Sequence, residues 1–223
     1  MPQSPSRPLI TAFRDSPDRG RGLARDMRVR WAFEEVGQAY DVRLVSFDDM
    51  KTQGYARLQP FHQIPAYHQG DLILFESGAI VLHIAENHAG LLPPNAEARA
   101  RAISWMFSAL NTIEQPTVER EAFLLLEKDK PYFQERLPIL DARVNARLRQ
   151  LSLQLGGGEW LDGEFSAGDL LMVTVLRRPA AFNLLEPYEN LRSYIKRAEA
   201  RPAYRRAFAA QLDVFTESQK NKA

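Results

Sequence analysis

Two short stretches, Gln63-Ile64-Pro65 and Glu76-Ser77-Gly78-Ala79-Ile80, constrain this chain most. The first reads as a strand entered through a proline bend, the second as the start of an apolar helix. An X-Pro bond costs little in the cis form and proline brings no amide donor, so a sharp bend here leaves the backbone N–H and C=O of Ile64 open. Glu76-Ser77 ahead of Ala79-Ile80-Val81-Leu82 begins a helix whose unpaired N–H groups and positive dipole end favour a carboxylate. Together they suit a small ligand with a peptide bond in its middle and a carboxylate at one end. Taken singly, each is also what a bend or a cap serving only the fold looks like.

Composition narrows the partners. The 223 residues carry 29 basic and 28 acidic side chains, a net charge of +1, which gives no electrostatic reason to expect nucleic acid or an anionic membrane. With no cysteine, disulfides, thiolate metal sites and cysteine nucleophiles are excluded. Histidines 62, 68, 83 and 88 show no metal-ligand spacing. Met1 to Pro8 is polar and lacks an apolar run, so no secretory signal is expected, and no segment approaches the length of a membrane span. These features point to a soluble, cytoplasmic protein.

The pattern along the chain changes once. Leu9 to Phe13, Tyr40 to Val45, Ala66 to His68 and Leu72 to Phe75 read as strands, the last two joined by a Gln69-Gly70-Asp71 turn. Helical patterns run over Leu23 to Val36, closed by Gly37, over a short stretch from Phe47 to Arg57, and onward from Glu76. The order is βαβαββα, an α/β domain over residues 1–89. Gly90-Leu91-Leu92-Pro93-Pro94-Asn95 reads as a linker, because consecutive prolines favour extended backbone. Residues 96–223 read as an all-α domain: Ala96 to Lys128 with a kink at Pro116, Tyr132 to Leu155, Ser166 to Arg178, Pro187 to Ala200, and Pro202 to Phe215. One start is unusually well signalled. In Phe165-Ser166-Ala167-Gly168-Asp169-Leu170, Ser166 caps, Asp169 reaches back, and Phe165 can staple to Leu170 ahead of a fully apolar run.

These features resemble the cytosolic glutathione transferases over nearly the whole chain. The resemblance rests on Gln63-Ile64-Pro65, the Glu76-Ser77 pair, the Leu91-Leu92-Pro93 linker, the Ser166/Asp169 box and a first helix around Arg28-Val29-Arg30-Trp31. It implies a thioredoxin-like first domain that binds glutathione as co-substrate, a small hydrophobic electrophile bound between the domains, a detoxifying transferase activity, and a homodimer. Position by position, it gives Ile64, beside Pro65, the backbone bonds to the cysteinyl unit. Glu76 and Ser77 take the γ-glutamyl end, Gln63 a neighbouring contact, and Lys51 the glycyl carboxylate. Trp105, Met106, Leu110, Phe208 and Phe215 are candidates for the electrophile's apolar surroundings, and Phe61 for an aromatic anchor in a partner subunit.

The chain departs from the family where the catalytic hydroxyl or thiol should sit, because that position holds Ala24. The preceding loop, Arg14 to Gly22, has Ser16 as its one hydroxyl, and Ser16 is the candidate to steady a thiolate. A serine before Pro-Asp is equally ordinary turn chemistry. Arginines 14, 19, 21 and 25, aided by the helix start near Gly22 and Leu23, are the alternative. The departure also keeps open a glutathione-binding module without catalysis, whereas thiol transfer through a mixed disulfide lacks the cysteine it needs.

Overall fold

A computed structural model of the protein describes residues 7–220 and 222. The segment 1–6, part of the stretch read above for a secretory signal, lies outside the described residues. The chain forms two compact units. One comprises the residues up to Leu92 together with those from Ala200 onward, the other Pro93–Glu199.

The first unit is built on four strands, β1 (Leu9–Phe13), β2 (Asp41–Val45), β3 (Ala66–Gln69) and β4 (Leu72–Phe75), in the order β2-β1-β3-β4. β1 and β2 are parallel, with Leu9 opposite Asp41 and Phe13 opposite Val45. β1 and β3 are antiparallel, as are β3 and β4, with Ala66 opposite Phe75. Between β1 and β2 runs α1 (Asp26–Val36), and α4 (Ser77–Asn87) follows β4. This mixed sheet with its βαβ and ββα halves is the thioredoxin-like arrangement expected above. Trp31, Met27 and Val29 on α1, Ile80 and Val81 on α4, and Ile10 and Tyr67 from the sheet are fully enclosed and form its core.

Two local differences have clear causes. α1 begins at Asp26, later than Leu23: the N–H groups of Leu23 and Ala24 bind the Asp18 carboxylate, and Met27 N–H closes a tighter turn onto the Ala24 carbonyl before the helix is under way. The single short helix expected after β2 is two, α2 (Phe47–Met50) and α3 (Gln53–Ala56). Ser46 starts the first with a capping box to Asp49, and the Thr52 hydroxyl accepts from Tyr55 N–H to start the second.

The second unit is helical: α5 (Ala96–Phe107), a π-helical segment (Ser108–Glu114), α6 (Gln115–Leu126), α7 (Phe133–Leu155), α8 (Ala167–Ala180) and α9 (Glu189–Glu199). The kink expected at Pro116 appears as that wider turn just ahead of it. Proline has no N–H and crowds the carbonyl four residues back, and an i→i+5 pattern accommodates both. In α8, Ala167 through Leu176 are all buried. Its start is the predicted capping box: Asp169 accepts from Ser166 N–H at 2.9 Å and from the Ser166 hydroxyl at 3.0 Å. Asp169 also accepts from Leu161 N–H at 2.9 Å and the Tyr194 hydroxyl at 2.8 Å. Burial holds its carboxyl above the usual range against the opposing pull of those donors. Gly168 is required by space, since a Cβ there would meet the Trp105 Cβ at 2.7 Å.

The last helix, α10 (Pro202–Lys220), groups with the first unit, although its sequence position is in the region read as the all-α domain. It covers α1 through specific contacts. Tyr204 meets the Trp31 ring edge to face at 5.0 Å, and Arg201 holds both oxygens of Glu35 at 2.7 and 2.8 Å. Gln211 donates to the buried Asp26 carboxylate at 2.9 Å. Among the described residues no helix is long and apolar enough to cross a membrane.

Candidate functional site

The strand directions gather the predicted residues at one end of the sheet. β1 and β2 both finish there, so the loop with Ser16 and the α2 turn with Lys51 follow them on the same side. β3 starts there and β4 ends there, which brings Gln63-Ile64-Pro65 and Glu76-Ser77 to the two legs of one hairpin. Such carboxyl ends of parallel strands are where open α/β sheets place ligands.

At the hairpin, the Ile64-Pro65 bond is cis. Ile64 is buried with Val45, Met50 and Tyr55, and neither its backbone N–H nor its C=O has a partner among the described residues. The Gln63 side chain is exposed, while its carbonyl accepts from the Tyr55 hydroxyl at 2.6 Å. Glu76 caps α4 with φ 68° and ψ 114°, the left-handed side that a residue with a Cβ avoids. Its side chain makes no capping bond and is exposed. Ser77 is buried, and Nη1 of the equally buried Arg28 donates to its hydroxyl oxygen at 3.1 Å. With a lone pair committed to Arg28, the Ser77 proton is left for an acceptor.

Lys51 pairs with Asp48 at 2.9 Å, with both side chains largely in solvent. Such a pair contributes at most about 1 kcal/mol, so the ammonium can exchange partners cheaply.

Ser16 lies in the loop between β1 and α1. It is 7% exposed and gives its one proton to the Asp18 carboxylate at 2.5 Å. Asp18 also accepts from Gly20 N–H at 3.1 Å, Leu23 N–H at 2.5 Å and Ala24 N–H at 3.0 Å, and so organises the whole loop. This is the turn chemistry that was the alternative for Ser16. It also takes up the amides near Leu23 that were expected to assist a thiolate. Of the loop's arginines, Arg14 lies 3.8 Å from Asp49 at the surface. Gly20, at φ 70°, lies so close to α10 that a Cβ would stand 3.1 Å from both the Phe215 Cβ and the Leu212 Cδ1. Ala24 packs its methyl against the Val45, Met50, Tyr55 and Ile64 cluster.

Of the candidate apolar residues, Trp105, Leu110, Phe208 and Phe215 are partly buried. Met106 is buried, Trp105 abuts Gly168, and Phe208 stacks on Tyr204 at 6.0 Å. Sequence reasoning did not pick out Arg28, Asp18 and Tyr55 as the hydrogen-bond partners of Ser77, Ser16 and Gln63. Arg28 left one signal, a charge one helical turn ahead of Trp31 and Ala32.

Residues 19–86 match the model of the glutathione S-transferase N-terminal domain. The chain is 25% identical to the glutathione S-transferase-like protein tpcF of Aspergillus fumigatus, over 88% of this chain and 94% of that one. It is 28% identical to glutathione S-transferase F11 of Arabidopsis thaliana, over 82% and 92%. A glutathione transferase family member from Pseudomonas fluorescens, solved with two glutathione molecules bound, superposes with a TM-score of 0.78 at 22% identity, covering 91% of this chain and 92% of that one. The domain match makes the region that carries the sheet and the site a glutathione S-transferase N-terminal domain, and the relatives aligned over most of both lengths are glutathione S-transferases or proteins like them.

Proposed function

We propose that this chain binds glutathione at the end of its sheet and directs the thiolate to a small hydrophobic electrophile, or uses it to reduce a small substrate. The observation that carries the reading is the open backbone N–H and C=O of Ile64 on one hairpin leg, facing the same sheet end as Ser77 on the other. Glutathione has the matching parts: a cysteinyl unit for two antiparallel backbone bonds, an α-carboxylate for Ser77 and the head of α4, an α-ammonium for Glu76, and a glycyl carboxylate for Lys51. In the conjugation step the sulfur forms a bond to the electrophilic carbon, and the leaving group departs with its electron pair. A free thiol titrates near pH 8.5, and lowering that by roughly two units takes about 2.7 kcal/mol of preference for the anion. Calorimetry with glutathione, followed by turnover of an activated aryl halide, tests both halves; absence of heat at millimolar glutathione would remove the reading.

One observation favours a second reading, a glutathione-binding module without catalysis. The Ser16 proton is already given to Asp18, and Ala24 offers no hydroxyl. We therefore expect Ser16→Ala to change turnover by less than about threefold and to leave the bound thiol's titration in place. Loss of tenfold to a hundredfold, about 1.4–2.7 kcal/mol, with a raised thiol pKa, would return the sulfur contact to Ser16.

Assembly as a homodimer is part of the proposal. Phe61 is 62% exposed and meets the ring of Phe75 at 5.9 Å, and Phe75 ends β4, an edge strand whose Leu72 and Ile73 are also exposed. An apolar cluster on a sheet edge invites a partner. Sedimentation should show a dimer at micromolar concentration, and Phe61→Ala should shift it toward monomer. A monomer in the unmodified protein rejects the dimer; a variant that stays dimeric rejects only the anchor.

A further inference from the structure

The residues on either side of Ile64-Pro65 are held by side chains beneath them. The Phe61 N–H donates to the buried Gln59 side chain at 2.6 Å, and the His62 Nδ1 lies 2.6 Å from the Met50 carbonyl. The Tyr55 hydroxyl meets the Gln63 carbonyl at 2.6 Å, Thr11 meets Tyr55 at 2.9 Å, and the Ala66 N–H meets Thr11 at 2.8 Å. The direction of the last three bonds is settled by proton count. The Gln63 carbonyl can only accept, so Tyr55 gives it the phenolic proton, Thr11 gives its proton to Tyr55, and Ala66 N–H serves Thr11. Burial raises the Tyr55 pKa further, which keeps the phenol a donor. Gln63 and Ala66 are thereby tied to β1 through two buried side chains, and the backbone between them offers the Ile64 N–H and C=O.

We infer that Tyr55, relayed through Thr11, is a positioning residue that aims the Ile64 backbone at the ligand's peptide unit. The inference rests on the glutathione reading. It goes beyond it in making affinity for the cysteinyl unit depend on a phenol that the ligand does not touch. Ligand groups held by a preorganised backbone lose affinity when the supporting shell loosens, even where the contacting atoms are unchanged.

The test pairs Tyr55→Phe with a glutathione analogue in which an ester oxygen replaces the cysteinyl N–H. By calorimetry, the variant should bind glutathione about tenfold more weakly than the unmodified protein, the effect of one good hydrogen bond. The unmodified protein should lose a similar factor on the analogue, while the variant should bind the two ligands almost alike, because its Ile64 carbonyl is no longer aimed. Equal weakening of both ligands by Tyr55→Phe, or no weakening, would overturn the positioning role and leave the glutathione reading standing. Absence of glutathione binding by the unmodified protein would overturn both. Should Tyr55→Phe not fold, Thr11→Val breaks the relay one bond earlier and should show the same coupling to the analogue, and its absence there would equally overturn the inference.

Discussion

Asp169→Ala should lower stability by about 3–5 kcal/mol, the largest single effect expected anywhere in the second unit. Asp169 is fully enclosed and accepts from four donors: two on Ser166, the Leu161 amide and the Tyr194 hydroxyl. Alanine removes every acceptor at once and leaves those donors buried beside a void. For a chain of this size the loss corresponds to a drop in Tm of order 10 °C. Urea unfolding followed by far-UV circular dichroism measures it, and a loss below 1 kcal/mol would mean that water or neighbouring carbonyls replace the carboxylate. Asp169→Asn should fall between, because its amide keeps one acceptor but turns a donor toward donors.

The second large effect is on binding. Ser77→Ala should weaken glutathione by tenfold to a hundredfold, about 1.4–2.7 kcal/mol, and Arg28→Met should do nearly the same although Arg28 lies behind the serine. The reason is geometric: Arg28 takes an oxygen lone pair of Ser77 at 3.1 Å and so turns the hydroxyl proton to the ligand. If the two act as one device, the double variant should bind little worse than either single one. Calorimetry on all three decides, and independent, multiplying losses would mean that Arg28 contributes through another contact.

Much of this arrangement was legible in the chain because its causes are local. β1 and β4 run over the residues expected of them, and the Ser166/Asp169 box forms as its spacing demands. Ile64 stands open beside a cis proline, as the bend implied. What was not legible depends on partners distant in sequence. The turn ahead of α1 is held by Asp18 reaching forward to Leu23 and Ala24. Tyr55 gives no local hint of a role, since it sits on α3 and its partner Thr11 lies on β1, far back in the sequence. Ser16 had the right topological address for a thiolate, but its hydroxyl was claimed by a carboxylate two residues away, and only the loop's three-dimensional course decides between those partners.

The return of α10 to the first unit has a consequence for how the molecule comes into being. Protein synthesis delivers the sheet first, then the whole helical unit, and only then the helix that covers Trp31 and Asp26. Residues 7–92, although they contain the four described strands and the candidate ligand contacts, leave the ribosome with one flank of α1 uncovered, and that flank stays open until residues 202–220 have been made. The sheet, made before the helical unit, is therefore covered only after it. A nascent chain arrested after the helical unit should present α1 to chaperones and proteases, and adding the final helix should bring the sheet, the loop around Asp18 and the ligand site to their finished form in one step.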